Sequence, residues 1–184
     1  MDLITLPLEQ HFNNIGVTAD PFRERGDFDG GGGSYPYEDL CHLVGVPYGL
    51  SEVCDGSGRL DNVCCEGQLV SLPRMIFAQR CTVTGSAEGS FEEPLRFEGD
   101  KAREVMFGMT DFLACEACFG EELRAIASHY HDPNGDVNGP RPRLWSATVK
   151  FEPVLPITTL YLPGNPLLHI FSITLTGLAA PGPA

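Results

Sequence analysis

Leu144-Trp145-Ser146-Ala147-Thr148-Val149-Lys150-Phe151 alternates side chains in a way that decides the fold class. Trp145, Ala147, Val149 and Phe151 fall on one face, and Ser146, Thr148 and Lys150 on the other. A period of two marks a strand with one face buried and one wet. Ile157 to Leu162, bounded by Pro156 and Pro163, reads as a second strand. In Leu168 to Leu175 the pattern predicts His169, Phe171, Ile173 and Leu175 on one face, and Ile170, Ser172 and Thr174 on the other. Ile76 to Thr84, Gly89 to Phe97 and Ala102 to Met109 are three weaker strand candidates. The 21 glycines and 15 prolines are scattered along the chain, which favours short elements joined by turns over long helices. Together these features predict an all-β fold, an antiparallel β-sandwich or jelly roll. One proline-free stretch, Asp111 to His131, spaces its apolar residues loosely as a helix would, and predicts a helix over Glu121 to Tyr130. With no internal repeat, the chain reads as one domain over 1–184, carrying a cysteine-bearing insertion around 111–140.

A length of 184 residues suffices for a core without a metal or disulfide. The formal charge of -13 repels phosphate, so nucleic acid and anionic membranes are not expected partners. No apolar run reaches the length of a membrane span, and Met1 to Phe12 lacks the pattern of a secretory leader, which favours cytoplasm over secretion. Seven cysteines, Cys41, Cys54, Cys64, Cys65, Cys81, Cys115 and Cys118, form an odd set without disulfide spacing, so at least one free thiol is expected.

Phe12-Asn13-Asn14-Ile15-Gly16-Val17-Thr18, Asp27-Phe28-Asp29-Gly30-Gly31-Gly32-Gly33-Ser34-Tyr35, Asp61-Asn62-Val63 and Gly67-Gln68-Leu69-Val70-Ser71-Leu72-Pro73 resemble the galactose-binding-like β-sandwich modules found beside bacterial glycoside hydrolases and in secreted fungal proteins. The segments Ile157 to Pro163 and Leu168 to Leu175 resemble the closing strands of the same group. The resemblance implies the sandwich fold and a module that binds a glycan or supports a catalytic domain, with calcium in some members. The segment Cys115 to Tyr130 departs from that pattern.

Among the chemistry-bearing residues, Asp27 and Asp29 precede four glycines. They could share a calcium ion with backbone carbonyls, or cap the amides of a tight turn; the two readings weigh equally. Asp132, Asn134, Asp136 and Asn138 imitate the start of a calcium loop, but Val137 stands where that loop needs glycine and Arg143 where it needs glutamate, so an exposed turn is favoured. Cys115 and Cys118 have the spacing of a redox pair or half a zinc site and are followed by His129 and His131, whose own spacing is too short for the usual zinc pattern; buried structural cysteines are favoured. Tyr35, Tyr37, Trp145 and Phe151 are the aromatic candidates for stacking a ligand. His169 is favoured as a hydrogen-bonded core histidine over the floor of a pocket. No hydrolase elbow, phosphate loop or dinucleotide fingerprint is present. The expected function is noncatalytic binding of a carbohydrate or similar polyhydroxylated molecule. No organic cofactor is expected, calcium is the candidate ion, and oligomerisation is left open. The alternative is a cyclase or isomerase with Arg80, Asp111, Tyr35 or His169 as its working groups.

Overall fold

The computed structural model describes residues 1–181. Its centre is two strands of 19 residues, β5 (Leu69–Ala87) and β11 (Arg143–Tyr161), paired antiparallel along their length. A flat strand of that length would run about 60 Å, too far for a domain of this size. Both therefore break step: four residues of β11, Phe151 to Val154, stand opposite Gln79 alone, and Pro153 lies within that bulge.

Around this pair the main sheet is completed by β1 (Asp2–Thr5), β4 (Val63–Cys64), β6 (Phe91–Glu98), β7 (Arg103–Met109), β8 (Glu122–Ile126) and β12 (Leu168–Ala179), in the order β1-β12-β5-β11-β6-β7. β4 adds to β12 and β8 to the start of β11. Every pairing in this sheet is antiparallel. The hairpin β6–β7 contributes Leu95, Phe97, Phe107 and Met109 to one apolar core shared with Val83, Trp145, Ile157, Ile173 and Leu175. The all-β antiparallel sandwich expected from the alternation is the fold observed.

A second, smaller core lies under the irregular N-terminal third and joins Phe28, Tyr35, Leu40, Phe112, Leu144 and Phe171. Here β2 (Val17–Thr18) runs parallel to β3 (Tyr35–Pro36), followed by the short α1 (Tyr37–Leu40) and a 3-10 turn at Cys41–Leu43. The hairpin β9 (Tyr130–Asp132) and β10 (Gly135–Val137) closes this end. Among the described residues no helix is long and apolar enough to cross a membrane. All seven cysteines are free thiols.

Two expectations are corrected. The helix over Glu121 to Tyr130 is absent: Glu122 to Ile126 is a strand, because the free edge of β11 from Arg143 to Ser146 needs backbone partners. Leu123 and Ile126, which suggested a helical stripe, are exposed. In β12 the single alternation fails at Phe171, which bulges between Ile170 and Ser172. Leu168, Ile170, Ile173 and Leu175 consequently share the main core, whereas Phe171 enters the second one.

Candidate functional site

The face of the sheet opposite the main core carries hydroxyls in register. Thr5 pairs with Thr174, Thr174 with Thr82, and Thr82 with Thr148, so four threonines cross four strands in one row. One step along lies Ser172–Thr84–Ser146–Glu122; one step the other way lies Thr176–Arg80–Lys150. The hydroxyls bond to one another: Thr82 to Thr148 at 2.9 Å and Thr84 to Ser146 at 2.7 Å. β8 adds Arg124 at the rim. Arg80, Arg124 and Lys150 thus bring three of the chain's 12 basic residues to one face of a strongly acidic protein.

Tyr48 straps this face. It is the one non-glycine residue among those described with a left-handed backbone, at φ 60°, a conformation that persists only where its surroundings hold it. Thr84 donates to its carbonyl at 2.8 Å, and Ser172 donates to the neighbouring carbonyl of Gly49 at 2.5 Å. Tyr48 lines two clefts. One, of about 470 Å³, opens toward Thr5, Leu8, Phe12, Ser51 and Thr174; the other, of about 200 Å³, opens toward Arg80, Thr82, Glu122, Arg124 and Thr148. The first lies within the size range of small-molecule sites.

Of the residues singled out by sequence, only Arg80 belongs to this face, and it is exposed there. Of the stacking candidates, Tyr35, Trp145 and Phe151 are buried in the two cores, and Tyr37 is half-buried against the second. The Tyr35 hydroxyl reaches Ser86 at 2.6 Å and the Arg143 carbonyl at 2.8 Å, and burial pushes its pKa well above the ordinary phenol value. Asp111 organises a turn, accepting from the amides of Gly89 and Leu113, each at 2.7 Å. His169 is a core histidine, its ring 4.3 Å from the Phe28 ring and tilted 36° to it, with Nδ1 2.9 Å from Asn62 Oδ1; burial lowers its pKa to about 4. Beyond Asn62 lies Asp61, fully buried. Its carboxyl accepts from the amides of Gly16 and Val17 at 2.8 and 3.0 Å and from Asn62 Nδ2 at 2.9 Å, yet burial raises its pKa to about 7.

Thr5, Tyr48, Thr82, Arg124 and Thr174 are not among the candidates that the sequence singles out. A signal was present in the polar half of each alternation, Ser146-x-Thr148-x-Lys150, Arg80-x-Thr82-x-Thr84 and Thr174-x-Thr176. Their assembly into one surface depends on pairing register.

In the glycine-rich loop, Asp29 Oδ1 accepts from the amides of Gly31 and Gly33, each at 2.9 Å, and Oδ2 accepts from the Tyr130 hydroxyl. Burial alone would raise its pKa, but the bonds from Tyr130, Gly33 and Gly31 outweigh it and hold the carboxyl below its ordinary value. Asp27 contributes its carbonyl, which accepts from Asn14 Nδ2 at 2.6 Å. Asp29→Ala is therefore expected to lower stability by about 1–3 kcal/mol, and Asp27→Ala by less than about 0.5 kcal/mol. Urea unfolding of both variants checks this, and equal midpoints would refute the assignment.

Nitrogen and oxygen ligands converge elsewhere, at His129, His131 and Asp136, whose ligand atoms lie within 4.8 Å of one another. Neither Cys115 nor Cys118 joins them, and both are exposed thiols in place of the buried structural cysteines expected. The turn before Asp136 is held by Asp132 Oδ1, which accepts from the Asn134 amide at 2.9 Å.

No curated protein matches the chain. The galactose-binding-like resemblance led to the right architecture, a β-sandwich, and the matching family model carries no association with glycoside hydrolases. With a match over residues 3–178, nearly its full length, the chain belongs to the AziU2-like beta-sandwich domain family.

Proposed function

We propose that the protein binds a small polyhydroxylated molecule on the hydroxyl face of its sheet, with Tyr48 against the ligand's apolar side. The observation that carries this reading is the row Thr5–Thr174–Thr82–Thr148 flanked by Arg80, Arg124 and Lys150. Hydroxyls both donate and accept, so a ladder of them matches the mixed donors and acceptors of a sugar or polyol. The three cations favour a ligand that also carries a carboxylate or phosphate. Within the row Thr5 and Thr148 are the exposed hydroxyls and Thr82 and Thr174 are buried, and binding without catalysis is the simpler reading of such a surface.

The test is NMR titration of amide-labelled protein with a panel of neutral sugars, sugar acids and sugar phosphates. Saturable shifts are expected at Tyr48, Thr82 and Thr148, strongest with the anionic members. Arg80→Ala and Thr148→Val alter exposed side chains, and each is expected to weaken binding about fivefold or more, the worth of roughly one hydrogen bond. A panel that leaves these amides unmoved, or moves only residues elsewhere, would defeat the proposal.

A further inference from the structure

The hairpin β9–β10 places His131 directly opposite Asp136, and its first strand is anchored on the other side by reciprocal backbone bonds between His131 and Ser34. His131 is wholly buried, and its Nε2 makes no hydrogen bond. Asp20 Oδ1 lies 3.2 Å from that nitrogen but out of line for one. The neighbouring ring of His129, 5.1 Å away centre to centre, also has a buried Nε2 without a partner, 3.7 Å from Asp136 Oδ1. Buried polar atoms are normally satisfied. Two unsatisfied imidazole nitrogens beside the same carboxylate form a donor set that lacks its acceptor.

The surrounding hydrogen bonds prepare those nitrogens. Ser128 Oγ donates to Asp39 Oδ2 at 2.6 Å, so in its 2.8 Å contact with His129 Nδ1 it must accept. The proton therefore sits on Nδ1, and the His129 Nε2 lone pair is free. Thr18 Oγ1 engages His131 Nδ1 at 3.0 Å. Support of this kind on the far nitrogen is how metal-binding histidines are oriented. A cation already serves the carboxylates: Arg23 donates to Asp136 Oδ1 at 2.7 Å and to Asp20 Oδ1 at 2.5 Å.

The geometry points to a site for one transition-metal ion of the zinc class, held by His129 Nε2, His131 Nε2 and Asp136 Oδ1. Imidazole nitrogen selects zinc, copper, cobalt or nickel over calcium and magnesium. Tetrahedral ligation at about 2.0–2.1 Å needs ligand atoms roughly 3.4 Å apart, so a set spread over as much as 4.8 Å closes by up to about 1.4 Å. Asp136, on the exposed rim, supplies most of that movement. Arg23 gives up Asp136 and keeps Asp20 as the ion enters.

The test uses chelator-stripped protein titrated with zinc chloride by calorimetry and with cobalt chloride by visible absorption. One equivalent is expected to bind, with a cobalt spectrum lacking the thiolate charge-transfer band. His129→Ala and Asp136→Ala alter residues outside both cores, and each is expected to weaken binding more than 100-fold. Ser128→Ala, which removes only support, is expected to cost about tenfold to 100-fold. A Cys115→Ser/Cys118→Ser double variant is expected to bind as wild type. Absence of saturable binding by either metal, or binding that survives His129→Ala and disappears in the double cysteine variant, would overturn the site.

Discussion

Asp61→Ala is expected to lower the free energy of unfolding by about 2–4 kcal/mol. The substitution leaves the amides of Gly16 and Val17 and the side-chain amide of Asn62 without their acceptor, all where water does not reach. Each such loss costs roughly 1–3 kcal/mol, and the sum is reduced because the variant no longer buries a carboxyl. The same residue carries a pH signature. The folded chain holds the Asp61 proton up to about pH 7, against a carboxylate's ordinary 3.8, so this contribution to stability is full below that ordinary value and lost as pH rises through 7. His169, linked to it through Asn62, behaves in the opposite sense. Its pKa falls from 6.5 to about 4, so its contribution is present above 6.5 and lost as pH falls through 4. Between pH 4 and 7 the two oppose each other. Asp61→Asn removes one of them, and the variant should lose stability on acidification more steeply than wild type, by on the order of 2 kcal/mol across that window. Urea unfolding at pH 4.5 and 7 measures the slope; parallel profiles for variant and wild type would refute the coupling.

Phe28→Ala is expected to cost about 3–5 kcal/mol, the range for emptying a large buried aromatic site. Phe28 is fully buried. Its ring lies edge-on to Tyr35 at 5.3 Å, 5.2 Å from Phe112 and 4.3 Å from His169. It also pins the glycine-rich loop, since its amide donates to the Gly33 carbonyl at 2.8 Å. The second core draws its members from distant parts of the chain, so it has little means of collapsing around the void. Total stabilities run about 5–15 kcal/mol, and Phe28→Leu, expected to lose about 1–2 kcal/mol, keeps the test readable if the alanine variant does not fold. Phe119→Ala, at an exposed phenylalanine, should change stability by less than about 1 kcal/mol. Denaturant midpoints rank the three, and equal losses at Phe28 and Phe119 would contradict this account of the core.

The period-two pattern of Leu144 to Phe151 determined which face of β11 is buried, because alternation along a strand is a local property. Trp145, Ala147 and Phe151 lie in the core, while Thr148 and Lys150 are exposed. Local reasoning also favoured the core role that His169 plays, with Nδ1 against Asn62 Oδ1. It failed where non-local partners overrode local spacing. Glu122 to Ile126 became a strand to satisfy the edge of β11, and Phe171 left its alternation through a bulge that no local pattern announces. The candidate sites were still less legible. Thr5, Thr82, Thr148 and Thr174 form one row only through the pairing register of four strands, and Asp20 and Arg23 meet His131 and Asp136 across more than a hundred residues of chain. Side-chain periodicity is written in the sequence because it depends on neighbours along the chain. Register, bulges and the convergence of separate loops depend on which partners the whole chain brings together, and only the tertiary structure decided them.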